Sequence, residues 1–197
     1  CRSRVSLSQD SQNPAKSRFI SFGILPSQPC ESALRVRLAS LHHVIPPYTG
    51  GASVPFTSFE GEVRWVGPPA LYLESSSTPT PFYASTLECT PHYRDWSTVG
   101  LLHVTGSAIV PSSVYEVENV ASSCMGNEPN CSAISSPLTV GTTRWGDVEV
   151  PYSPPSTTAQ PDVADLFALV NKFRSAPGAP IKARAILSGD DAFGTIS

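Results

Sequence analysis

Charge is scarce in this chain. Only 15% of its 197 residues are Asp, Glu, Lys or Arg, against about 25% in an ordinary soluble domain. The formal net charge of −3 offers no basic surface to nucleic acid or to an anionic membrane, and neither is an expected partner. No apolar run approaches the ~18 residues that a membrane-spanning helix requires. C-x-x-C is absent, which removes zinc ribbons and thioredoxin-type redox centres. G-x-S-x-G, H-E-x-x-H and the P-loop are absent as well, so no nucleophile elbow, zinc-protease helix or phosphate cradle is written here. The chain opens on Cys1 with neither an initiator Met nor a signal-like apolar stretch, and reads as a processed product or a fragment.

What the chain has in quantity is proline, 20 residues, roughly twice ordinary usage. Scattered prolines interrupt helices and suit short strands joined by stiff loops. Residues 1–17 are polar and aperiodic, a tail or linker. From Arg18 the pattern is β. In SALRVRLASL, Leu34, Val36 and Leu38 alternate with Arg35, Arg37 and Ala39, a period of two that puts one face on a core and the other in water. Tyr115 and Val117 alternate with Val114 and Glu116 in the same way. With RFISFG, FEGEVRWVG, ALYLESSS, PFYASTLECT, STVGLLHVTG and SPLTVG, seven or eight short strands fill residues 18–148. Turn signals separate them and no βαβ alternation occurs, so a mainly β domain is expected. A Pro/Ser-rich connector occupies 149–160.

The five cysteines are Cys1, Cys30, Cys89, Cys124 and Cys131. Cys124 and Cys131 flank the turn-rich MGNEPN and are candidates for a disulfide-linked loop. Cys30 and Cys89 lie beside strand segments and are a second candidate pair, leaving Cys1 over. Spacing does not set connectivity, but the Pro-rich, weakly charged composition suits an oxidising compartment.

One helix is expected near the C-terminus. Asp162 is placed to cap it, with Asp165 three residues on as the acid of a capping box. Leu166, Leu169, Val170 and Phe173 fall at i, i+3, i+4 and i+7, and Val163 and Phe167 widen the stripe. Lys172 and Arg174 sit in the last turn, and Pro177-Gly178 stop the helix. A dozen residues are too few for a stable helix alone in water. The apolar face is therefore expected either to bury itself or to remain as an adhesive patch.

Nothing catalytic is expected. CTPHYRDW brings Cys89, His92 and Asp95 close in sequence, but a disulfide and a surface turn account for them better than a Cys–His nucleophile does. Glu60 and Glu62 read as a solvated strand face rather than as a glycosidase pair. Tyr48, Tyr72, Phe82 and Tyr93 are the aromatics from which a sugar-binding platform would be built.

Two segments carry a resemblance. In IVPSSVYEV, the positions of Ile109, Pro111, Ser113, Tyr115 and Val117 resemble the entry to the sixth strand of fibronectin type III domains. The resemblance implies a tyrosine corner, an immunoglobulin/fibronectin III-like β-sandwich with one short C-terminal amphipathic helix, and Trp65 as its buried tryptophan. GDV…PDVADLFALVNKF is similar to a dockerin type I repeat and implies a partial dockerin-like segment over 161–197. Carried over, Asp147, Asp162 and Asp165 would be calcium-loop ligands. The 15 residues from Asp147 to Asp162 stretch that loop well beyond the family's spacing. Calcium needs six to eight oxygens in one shell, so no cofactor is expected.

HHVIPPYTGG, CTPHYRDWSTVGLLHVTG, RWGDV and LVNKFRSAPGAPIKARA resemble secreted bacterial proteins that join such a sandwich to a degenerate dockerin-like duplex. That implies an extracellular or cell-surface, non-enzymatic module for adhesion, scaffolding or spacing, with a protein or glycan partner. It also implies a further C-terminal repeat, opened by Asp190 and Asp191, that packs on the helix. The alternative role is a carbohydrate-binding accessory module of a polysaccharide-active protein.

Overall fold

The computed structural model describes residues 6–9, 19–25, 30–41, 61–72, 82–106, 108–143, 146–149 and 162–180. The strands are β1 (Ser6–Gln9), β2 (Phe19–Leu25), β3 (Glu31–Leu41), β4 (Val63–Val66) and β5 (Ala70–Tyr72). They continue with β6 (Phe82–Glu88), β7 (Arg94–Asp95), β8 (Leu101–Thr105), β9 (Ser113–Ala121) and β10 (Leu138–Gly141). One α-helix, α1 (Val163–Phe173), completes the described elements. The mainly β expectation holds. The strands hydrogen-bond in the order β1-β2-β8-β6-β4-β3-β9-β10, with β5 also on β6 and β7 also on β3. β1 and β10, the ends of that path, lie against each other, so the sheet curls nearly into a barrel.

The period-two pattern does what it promises. Leu34, Val36 and Leu38 of β3 point inward to meet Tyr115 and Val117 of β9, Ile20, Phe22 and Ile24 of β2, and Leu102 and Val104 of β8. On the outer face Arg35 lies 2.8 Å from Glu118, and Arg37 pairs with Glu116. These are cross-strand pairs of opposite charge on β3 and β9.

Residues 6–9 correct the reading of 1–17 as a tail, because they form β1, antiparallel to β2. Four residues held by backbone hydrogen bonds, with Leu7 resting on the core, are too short to announce a period.

The least expected feature is a parallel pair. β6 runs antiparallel to β4 through Leu87 and Glu88, but parallel to β8 through Tyr83–Thr86. A parallel pair requires a crossover, and residues 89–100 supply it, with β7 pairing to the start of β3. The crossover drops Trp96 into the core, fully buried, its indole Nε1 donating to the Ser32 carbonyl at 2.7 Å. Trp65, expected to be buried, is buried, but in a second, smaller cluster on the outer face with Ala33, Val120 and Cys124 rather than in the main core. On β4 it is Val66 that points inward, so alternation turns Trp65 out.

The Tyr115 hydroxyl donates to the Ala108 carbonyl at 2.9 Å and accepts from the Val110 N–H at 2.7 Å. The expected corner bonds are therefore present. Thr142 braces the same corner, donating from Oγ1 to the Val110 carbonyl at 2.7 Å and accepting from the Ser113 N–H at 2.9 Å. Between them Ser112 holds φ at 54°, a left-handed conformation that disfavours a Cβ. Its hydroxyl is buried without a hydrogen-bond partner. Ser112→Gly removes both penalties at some cost in chain entropy. It is expected to raise stability by about 1 kcal/mol and Tm by about 2–4 °C. A melting curve unchanged or lowered in that variant would sink the strain assignment.

Candidate interaction site

α1 is built as its sequence specifies. The Asp162 carboxylate accepts from the Ala164 N–H at 2.7 Å and the Asp165 N–H at 3.3 Å. Asp165 Oδ2 accepts in return from the Asp162 N–H at 2.9 Å, closing the capping box. The helix ends one turn before Pro177-Gly178, through Ser175 at φ 52°. The Ala176 N–H reaches the Asn171 carbonyl at 2.9 Å and the Ser175 N–H reaches Lys172 at 3.0 Å, a Schellman termination.

The docking of the helix is polar. Asp165 is buried, and its Oδ1 accepts from the Val148 N–H at 2.7 Å and the Glu149 N–H at 2.9 Å. Val148 is itself fully buried. One step back along the chain, the Thr143 hydroxyl donates to the Asp147 carbonyl at 3.2 Å, and the Ser112 N–H donates to the Thr143 carbonyl at 2.9 Å. A continuous polar path thus joins the Tyr115 corner, the end of β10, the turn at Gly146 and the first turn of α1. Ala168, one turn on from Asp165, is buried on the same face, and Leu169 and Lys172 are half-buried beside it.

The apolar stripe faces the other way. Val163 is 66% exposed, Leu166 61%, Phe167 63%, Val170 38% and Phe173 93%. Of the two outcomes expected for the stripe, burial or an adhesive patch, the structure has the patch. The sequence showed the cap and the stripe. It did not show that Asp165 and Ala168 would take the inward side, because an N-terminal acid at that spacing reads as a cap whether or not it is buried.

The calcium-loop residues do not converge on a cation. Both Asp165 oxygens accept N–H donors, and Asp162 Oδ1 accepts two more. These positive donor ends point where an ion would have to bind. Asp147 is buried, and among the described residues no three His, Cys, Asp or Glu side chains form a metal-holding group. Among the described residues, the carboxylates of Asp162 and Asp165 are engaged by backbone N–H donors.

Cys124 and Cys131 form the expected disulfide, with Cα atoms 5.5 Å apart. The loop they close lies over the outer face, held there by Tyr93, whose hydroxyl donates to Glu128 at 3.0 Å. Burial, then the Glu128 carboxylate, pushes the phenol up to about 12, so Tyr93 stays a donor.

The Cys30–Cys89 pairing is corrected. Cys89 is exposed and free, while Cys30 is bonded to a partner outside the described residues. Residue 88 lies across β4 from β3, two strand spacings or about 10 Å, beyond the ~7 Å Cα limit for a disulfide. His92 packs edge-on against Trp96 with centroids 6.4 Å apart. Asp95 accepts from the Ser97 N–H at 2.9 Å, and that bond holds its carboxyl below the usual range. Asp95 is thus a turn cap. Of the aromatic platform, Tyr93 is tied to Glu128, whereas Tyr48 and the side chains of Tyr72 and Phe82 lie outside the described residues, as do Glu60, Asp190 and Asp191.

Comparison with known proteins finds no matching family model, no matching curated protein and no matching solved structure.

Proposed function

We propose that the chain is a non-enzymatic extracellular or cell-surface module, used for adhesion, scaffolding or spacing, whose contact surface is the outward stripe of α1. The observation that carries this reading is the opposition of two faces on one short helix. Asp165 and Ala168 fasten it to the β domain while Leu166, Phe167 and Phe173 are left in water. A helix needed only for packing would turn its apolar side inward. Five large apolar side chains on one exposed face are what a docking surface presents.

The Tyr115 corner and the β10-β9-β3-β4 succession support a fibronectin type III-like sandwich as the carrier. The docking of α1 on residues 148 and 149 supports a dockerin-like hairpin in which N–H donors have taken the place of the ion. The disulfide between Cys124 and Cys131 supports an oxidising destination.

The test is retention at the surface of the producing cells, measured as the ratio of cell-bound to released protein. A Leu166→Ser/Phe173→Ser variant is expected to lower that ratio several-fold, with a glycan array blank for both proteins. Unchanged retention sinks the stripe as contact surface. A glycan signal that survives the double substitution moves the function to carbohydrate binding.

A further inference from the structure

We infer that the occupant of the α1 stripe is a second copy of this chain, bound helix to helix in antiparallel register about a two-fold axis at the level of Ala168. The inference rests on the reading of the stripe as a contact surface, and adds what covers it. A two-fold interface requires one patch to complement itself, and three pairs of exposed α1 positions do so. Equal steps from residue 168 pair Leu166 with Val170, Val163 with Phe173, and Asp162 with Arg174. All six are exposed. Antiparallel, each Leu166 meets the Val170 of the other copy, and each Val163, a small residue, meets a Phe173, a large one. Each Asp162 at a helix start then lies beside an Arg174 at a helix end, opposite charge against opposite charge. The helix dipoles run in opposite senses, which adds to that attraction. A parallel pair would set Asp162 against Asp162 and Arg174 against Arg174 at the two ends.

The area is sufficient for a weak, specific dimer. Taking about 200 Å² for each Phe, the five exposed side chains present on the order of 500 Å² per copy. Two copies bury about 1,000 Å², the lower bound for a specific interface. An interface at that lower bound is expected to associate weakly, with monomer and dimer in exchange.

Sedimentation equilibrium on the full chain, from about 1 µM to about 1 mM, is expected to show monomer and dimer in exchange. Phe173→Ser weakens the dimer at least tenfold. At 93% exposure that residue contributes little to folding, and an unchanged circular dichroism spectrum checks this. Register is read in a Cys89→Ser background that removes the free thiol. Val163→Cys/Phe173→Cys together give disulfide-linked dimers on mild oxidation, whereas Phe173→Cys alone gives few.

A monomer throughout the range overturns the inference, including one whose α1 amides prove covered by its own C-terminal stretch. A dimer indifferent to Phe173→Ser overturns it too, as does efficient linkage through Phe173→Cys alone. A monomer whose cell-surface retention still depends on Leu166 and Phe173 removes the dimer and leaves the contact surface standing. A dimer whose retention ignores those residues does the reverse.

Discussion

Trp96→Ala lowers the unfolding free energy by about 4–5 kcal/mol, the upper end for removing a fully enclosed aromatic side chain. Two effects combine. The indole, carried by the 89–100 crossover, fills the interior among core residues of β2, β3 and β8. Its Nε1 also satisfies the Ser32 carbonyl at 2.7 Å, and Ser32 is where β3 meets β7 and β9. The Ser32 hydroxyl accepts from Asn119 Nδ2 at 2.8 Å, so disturbance at Ser32 reaches β9 directly. Trp96→Phe retains most of the volume and loses the donor, and is expected to cost about 1–2 kcal/mol beyond the difference in ring size.

Trp65→Ala is the control. Its ring lies on the outer face under the disulfide loop, and about 2–3 kcal/mol is expected, because that loop can settle into the space. Urea unfolding followed by far-UV circular dichroism measures all three without relying on tryptophan fluorescence. Against a total of about 5–15 kcal/mol for a domain of ordinary stability, Trp96→Ala removes about a quarter or more. If Trp65→Ala proves the costlier, the crossover is not what holds the barrel together.

The contrast between the two tryptophans shows how far the sequence could be read. Alternation is a local property, and in β3 and the first half of β9 it assigned faces correctly. Leu34, Val36 and Leu38 went in and Arg35 and Arg37 went out. The Tyr115 corner was legible for the same reason, since its partners Ala108 and Val110 lie within seven residues. Trp96 was not legible, because its place depends on β6 running parallel to β8, a long-range pairing with no local signature. Nor was the Cys30–Cys89 error avoidable by spacing, because the separation becomes clear only when β4 is known to lie between β6 and β3. At the candidate site the cap, the stripe and the helix limits could all be read. The direction the stripe would face could not, because it is set by two amides, Val148 and Glu149, that sequence gave no reason to bring to Asp165.

Those amides make Asp165 the residue on which display of the helix depends, and Asp165→Ala is expected to melt α1 while leaving the barrel folded. The carboxylate accepts three N–H groups, from Val148, Glu149 and Asp162. Val148 is fully buried, so deletion strands a buried donor and opens the capping box together. The combined local cost is about 3–4 kcal/mol. An isolated 11-residue helix has no such reserve, since helices shorter than ~12–15 residues are marginal in water. The apolar stripe cannot compensate, because it points away from the domain. Ala168, with Leu169 and Lys172 only half-buried beside it, buries too little.

Hydrogen exchange should therefore show residues 163–173 unprotected in Asp165→Ala, with protection of β3 and β9 unchanged and Tm lowered by no more than a few degrees. Asp165→Asn should fall between. Its Oδ1 can still accept from Val148 and Glu149, but its amide nitrogen is turned toward the Asp162 N–H, a donor facing a donor. Protection ordered wild type, Asn, Ala identifies the carboxylate as the anchor. A helix that stays protected in Asp165→Ala at concentrations where the chain is monomeric would mean the stripe is covered by its own chain, and the outward face would lose its claim to be a contact surface. Exposure of a sticky face is stable only because a charged group holds the opposite side. In this chain the acid that resembles a metal ligand serves that purpose by binding backbone amides.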